Sequence, residues 1–215
     1  MELIGTVLSQ NTTDRNSHAA MERLRSALPD WDRAADAPLA RIAAAIRPAG
    51  LHRQKARSIR AILRRIRAER GRISLDFLRR WPTGRIRQYL LSLPGVGPKT
   101  AACVLLFSLR RPVLPVDTHV HRVSRRLGLI GPSVTAEQAH DLLADIVPPG
   151  KVYAFHVLLI EYGRKVCHAR RPECGACALS DVCPAAFSLP SPRPRDTHPM
   201  RPPGIGRRRT RKGNP

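Results

Sequence analysis

The sequence predicts an all-α fold, on three observations. Ile59, Ile62, Leu63 and Ile66 recur at i, i+3, i+4 and i+7, the apolar stripe of one helix. Thr135 and Gln138 make a capping box ahead of Leu142, Leu143 and Ile146. No run of alternating strands and no repeat of fixed period interrupts this pattern. Aromatic residues are only 4% of the chain, so the predicted core is aliphatic, which suits closely packed helices.

Taken in order, Glu2 to Leu8 reads as the first helix. The helix of the apolar stripe carries Arg60, Arg64, Arg65 and Arg67 off its buried face, toward solvent or phosphate. A helix from about Arg85 to Leu91 runs into Pro-Gly-Val-Gly, and another starts at Pro98, since proline suits a first helical turn. Asp117 reads as the N-cap of Thr118 to Leu127. Lys151 to Gly163 reads as a last helix closed by its glycine. Residues 186–215 hold seven prolines, eight basic residues and one acid, the composition of a disordered basic tail.

Charge narrows the class. The chain has 38 basic and 16 acidic residues, net +22, and the tail accounts for only a minor part of it. Such an excess points to a polyanionic partner, and nucleic acid is the commonest. No apolar run of membrane-spanning length and no signal-peptide pattern is present, so a cytoplasmic protein, nucleoid-associated if bacterial, is the expectation.

Leu93-Pro94-Gly95-Val96-Gly97-Pro98-Lys99-Thr100-Ala101 is the most informative stretch. Glycines allow a tight turn and clear the approach. The amides around Gly95, Val96, Gly97 and the new helix N-terminus then form a nest for an anion such as a DNA phosphate. Beside this hairpin stands Lys99, one of only five lysines against 33 arginines. Where this protein needs charge alone it uses Arg. Arg cannot lose its proton, whereas Lys can, and a neutral amine attacks carbon. The plainer role for Lys99 is a phosphate contact. Asp117 is the only acid between Phe77 and Ala136, among ten basic residues. An acid there repels DNA, which suggests a chemical duty besides its cap. Together the pair suits removal of a base from deoxyribose: the carboxylate stabilises positive charge on the sugar or helps generate the nucleophile, and the amine attacks C1′.

Five cysteines without an export signal argue against a disulfide framework. Cys167, Cys174, Cys177 and Cys183 have the spacing C-x6-C-x2-C-x5-C. Four thiolates at this spacing fit either zinc or an iron–sulfur cluster. Cys103 reads as a small buried core residue.

L-P-G-V-G-P-K-T-A followed by V-D-T-H-V-H-R-V resembles the endonuclease III family of helix-hairpin-helix DNA glycosylases, over residues 2 to 184. The resemblance implies two helical lobes with the DNA-binding cleft between them. Residues 1–111 would form a six-helix barrel domain with the helix-hairpin-helix, and 112–185 an iron–sulfur cluster domain. The family's usual N-terminal segment would be missing. It implies Lys99 as nucleophile, Asp117 as catalytic acid group, and a [4Fe–4S] cluster on the four cysteines. Asn11 or Gln10 would fill the gap left by a flipped base, and Leu51 would wedge into the duplex. His119, Arg170 and Arg171 would contact DNA. The implied activity is that of a bifunctional glycosylase and AP lyase for oxidised pyrimidines, acting as a monomer on double-stranded DNA with a damaged base or abasic site. A thymine or uracil mismatch glycosylase, or a non-catalytic DNA-binding iron–sulfur protein, are the alternatives.

Overall fold

The computed structural model describes residues 2–188. The predicted tail therefore lies almost wholly outside the described residues. Every regular element among them is helical. The α-helices are α1 (Glu2–Ser9), α2 (Asp14–Ala27), α3 (Trp31–Asp36), α4 (Leu39–Ala45), α5 (His52–Arg70), α6 (Thr83–Ser92), α7 (Pro98–Cys103), α8 (Thr118–Arg126), α9 (Gln138–Ile146) and α10 (Val152–Lys165). A π-helical stretch, Val104–Ser108, continues α7.

Two aliphatic cores organise these helices. The first runs from Leu3 to Leu105 and is gathered around α5, whose Ile59, Ile62, Leu63 and Ile66 are fully buried. Helices α3 and α4 pack along α5, and α1 packs on α2, α5 and α7. The second core runs from Leu106 to Leu159 and centres on the α8–α10 pair. The helix from Pro98 through Ser108 supplies both, with Ala101, Val104 and Leu105 in one and Leu106 in the other. Exposed ion pairs join the two parts: Arg164 to Asp14 at 3.0 Å and Arg87 to Asp141 at 3.6 Å. Each contributes little to stability in water.

The caps follow the sequence. Thr135 N–H donates to Gln138 Oε1 at 2.9 Å, and Gln138 N–H donates to Thr135 Oγ1 at 3.2 Å, a reciprocal capping box. Two expectations are corrected. Gly163 does not close the last helix, which continues to Lys165. It is bare because a Cβ there would meet His119 Nδ1 at 2.8 Å and Arg122 at 3.0 Å. Three of the α5 arginines, Arg64, Arg65 and Arg67, are engaged within the protein, and Arg60 has no partner among the described residues. Arg64 donates to Ala35 O, Arg65 to Glu69 and Ser92 O, and Arg67 to both carboxylate oxygens of Asp36. They tie α5 to its neighbours.

The segment between the π-helix and α8 is extended and buried at Leu114, Pro115 and Val116. Two buried histidines hold it. His140 Nδ1 bonds Leu114 O at 2.9 Å and His156 Nδ1 bonds Pro115 O at 2.8 Å. A carbonyl only accepts, so each Nδ1 carries the hydrogen. Burial lowers both pKa values from 6.5, although each carbonyl bond pulls the other way. Well above pH 6.5 both rings are neutral folded or unfolded, and neither contributes a pH dependence. Below 6.5 the unfolded chain binds protons that the folded chain does not, so stability falls with pH. Each ring adds at most about 1.4 kcal/mol per pH unit to that slope. Denaturation midpoints between pH 7.5 and 5 should therefore drop in the wild type. His156→Asn keeps a donor for Pro115 O and should flatten the slope; an unchanged slope would mean that His156 is not responsible.

Candidate functional site

Helices α6 and α7 form a hairpin through Leu93 to Gly97. Its two glycines are bare for different reasons. Gly95 has φ +77°, and a Cβ there would meet Ser58 Oγ at 2.6 Å. Gly97 has φ −96° and ψ 178°, open to any residue, and nothing lies within 4 Å of its Cβ position. No contact inside the protein requires Gly97 to be glycine, and the bare position leaves room for close approach of a ligand. Gly95→Ala should destabilise the fold by about 1–2 kcal/mol from the left-handed backbone alone. Gly97→Ala should leave stability within about 0.5 kcal/mol yet weaken duplex binding by about tenfold, or 1.4 kcal/mol. Melting curves and binding isotherms on both variants check this, and equal binding by Gly97→Ala and wild type would remove the hairpin from the interface.

Val96 is corrected. Its side chain is buried in the first core, and its N–H donates to Leu93 O at 3.2 Å. It anchors the turn and offers no free donor. The backbone amides of Gly95, Gly97, Lys99 and Thr100 have no acceptor among the described residues, so they make up the nest.

Lys99 stands in the first turn of α7, and Cys103 follows one turn later on the same face. Burial pushes the Cys103 thiol up, while the nearby Lys99 ammonium pulls it down and Asp117 pushes it up again. The buried His156 ring also feels both charges. Lys99 and Asp117, from different elements, are thus both within electrostatic range of Cys103 and His156. Neither takes part in an ion pair among the described residues. Asp117 is indeed the N-cap of α8. Its Oδ1 accepts from His119 N–H at 2.9 Å and Val120 N–H at 2.8 Å. Both bonds use one oxygen, and Oδ2 has no partner among the described residues.

The remaining predicted residues separate into free and engaged. Gln10 is engaged: its Nε2 donates to Thr100 Oγ1 at 3.0 Å and Gly95 O at 3.3 Å, bracing the hairpin. Asn11 is exposed at the tip of its loop with φ +51°. Leu51 is 54% exposed with φ +43°, at the N-cap of α5, and is no core leucine. His119 is half-buried. Its Nδ1 accepts from Arg122 at 3.1 Å, so its hydrogen sits on Nε2. Arg170 and Arg171 are exposed and unpaired among the described residues.

A hairpin nest beside a lysine and an aspartate is matched at the level of the whole chain. Residues 4–149 match the model of the HhH-GPD superfamily base excision DNA repair protein. The chain belongs to this superfamily. It is 34% identical to the endonuclease III of Sulfolobus acidocaldarius over 84% of this chain and 79% of that protein. An Arabidopsis thaliana relative is 37% identical over 77% of this chain, which spans 56% of that longer protein. Among solved structures, a trapped endonuclease III–DNA covalent intermediate superposes with a TM-score of 0.76 at 31% identity, over 86% of this chain and 83% of that one. HhH-GPD membership accounts for the all-α architecture.

The superfamily match ends at residue 149, before the cysteines. All four line one small cavity, walled by Val166, Pro172, Ala185 and Ala186. No three His, Cys, Asp or Glu side chains among the described residues converge tightly enough for a single metal ion. Four thiols around one shared cavity are a donor set that either an iron–sulfur cluster or a zinc ion can take. Sequence reasoning missed what surrounds them. Arg126 donates to Cys167 Sγ at 3.2 Å and to His168 O at 2.7 Å. Arg122 donates to Cys167 O at 3.1 Å and Gly163 O at 2.9 Å. Tyr162 Oη lies 2.9 Å from Cys177 Sγ. Helix α8 therefore carries Asp117 at one end and the supports of the cysteine loop along its length. His156 was missed too, though a histidine inside the apolar run Val152 to Ile160 was a legible signal.

Proposed function

We propose that the chain is a bifunctional DNA glycosylase and AP lyase that removes oxidised pyrimidines, acting as a monomer on duplex DNA. The observation that carries this is Lys99 in the first turn of α7 beside the bare Gly97, with Asp117 within electrostatic range of the same Cys103 and His156. The duplex lies against the hairpin, in the cleft between the two lobes, with the damaged nucleotide turned out of the stack. The Lys99 amine attacks C1′, and the base departs with the bonding electrons. Asp117 stabilises the charge on the sugar and accepts the proton that the amine loses. The sugar ring then opens: the C1′–O4′ bond breaks, O4′ takes a proton, and the nitrogen lone pair makes the iminium at C1′. Loss of a C2′ proton breaks the C3′–O bond and cuts the strand on the 3′ side. Asn11 fills the space of the lost base and Leu51 wedges the stack apart, while Gln10 keeps the hairpin in place. His119, through Nε2, and Arg170 and Arg171, through charge, face the phosphates.

Cys167, Cys174, Cys177 and Cys183 hold a [4Fe–4S] cluster, with Arg126 and Tyr162 donating to its sulfur ligands. When bound, the cluster cross-links a loop-rich segment and contributes folding energy. Borohydride trapping tests the reading. The intact protein should give a covalent adduct on duplexes carrying an abasic site or an oxidised pyrimidine. A panel that also holds mismatched thymine and uracil ranks the bases. No adduct on any of them would sink the lyase assignment.

A further inference from the structure

Lys55 is a buried lysine with no acid beside it. It is 3% exposed and belongs to no ion pair among the described residues. Its Nζ donates to three backbone carbonyls: Leu8 O at 2.8 Å, Gln10 O at 2.6 Å and Ala49 O at 2.8 Å. Burial disfavours its charge, so the three carbonyls are what keep an ammonium there. The chemistry is selective. An ammonium is compact with three tetrahedral donors, whereas the planar fork of Arg does not match three converging carbonyls. In a chain that otherwise uses Arg, this lysine has a geometric reason.

What those carbonyls belong to matters more. Leu8 lies in the last turn of α1 and Gln10 just beyond it, directly ahead of Asn11. Ala49 leads into Gly50 and Leu51. Asn11 and Leu51 are two of the four non-glycine residues with positive φ among the described residues, at +51° and +43°. Both are exposed. Asparagine adopts such backbone readily, but in a leucine it persists only where the surroundings over-determine it. One ammonium fastens the base of both tips, and Lys55 N–H also donates to Leu51 O at 2.9 Å.

We propose that Lys55 is a positioning residue that holds the Asn11 and Leu51 tips at one fixed separation, so that both enter the duplex together at the lesion. This rests on the reading that the chain opens duplex DNA. The full chain and Lys55→Met are compared in two assays. In the first, a duplex carries an abasic analogue opposite 2-aminopurine, whose fluorescence reports unstacking. In the second, borohydride trapping is measured on an abasic site in duplex and in single-stranded DNA, where no stack must be opened. Lys55→Met should lose the fluorescence rise, and its duplex-to-single-strand trapping ratio should fall by about tenfold or more. A merely structural role would lower both substrates alike. Wild-type fluorescence and ratio in the variant would overturn the proposal.

If Lys55→Met does not fold, hydrogen exchange of the wild type decides. Amides of residues 9–13 and 49–52 should open in one cooperative step across a urea series; independent opening of the two segments would overturn the clamp. If the wild type neither traps nor unstacks any DNA, the repair reading fails instead, and the exchange measurement still judges the clamp.

Discussion

Replacing Lys99 by alanine should abolish covalent trapping, with single-turnover strand cleavage falling by about 10³-fold or more. Lys99→Arg should fail equally. That second variant is the sharper one. A phosphate contact needs only a cation, which Arg supplies, so a Lys99→Arg protein that trapped as well as wild type would reduce Lys99 to a phosphate contact. If Lys99 is the nucleophile, Arg binds the duplex and does nothing more, because its guanidinium keeps its proton. Stability should move the other way. Lys99 sits at the N-terminus of α7, where a positive charge opposes the helix dipole. Removing it should leave the fold unchanged or raise its stability by about 0.3–1 kcal/mol. A residue whose loss stabilises the fold while ending the chemistry is retained for the chemistry.

Asp117→Asn should lower the single-turnover rate by on the order of 10²–10³ while leaving the fold intact. The structure makes this substitution clean. The cap of α8 uses Oδ1 alone, accepting from His119 and Val120, and the asparagine carbonyl can accept both bonds. Asn and Asp are nearly equal as N-caps, whereas Asp117→Ala should cost about 1 kcal/mol in addition. Binding to a duplex with an abasic analogue should not weaken in Asp117→Asn, since an acid facing phosphate has been neutralised. Melting, binding and single-turnover measurements on the three proteins separate cap from catalyst. A wild-type rate in Asp117→Asn would leave Asp117 as a cap and nothing else.

Several features were legible because they are local. The stripe on α5, the capping box of α9, the Asp117 cap and the Pro98 helix start each depend on residues a few positions apart. The hairpin was legible as a string, and the scarcity of lysine marked Lys99. Where a functional role depended on distant partners, the string was ambiguous or misleading. Gln10 and Asn11 are adjacent and chemically alike, and only the approach of Gly95 and Thr100 engages Gln10 and leaves Asn11 free. Val96 lies inside the DNA-binding string but turns into the core. Arg64, Arg65 and Arg67 looked available to phosphate until Ala35, Asp36, Glu69 and Ser92 met them.

Helical periodicity, caps and turn glycines act over one or two turns, so the sequence by itself determined an all-α chain, the hairpin, and the identities of Lys99 and Asp117 as residues out of keeping with their surroundings. Tertiary structure decided which of these meet. The position of Asp117 follows from His140 and His156, which fasten the extended segment ahead of it. Lys55 joins carbonyls 47, 45 and 6 residues away. Such bonds depend on chain closure between distant segments, and no local pattern records where a buried donor will find its acceptors.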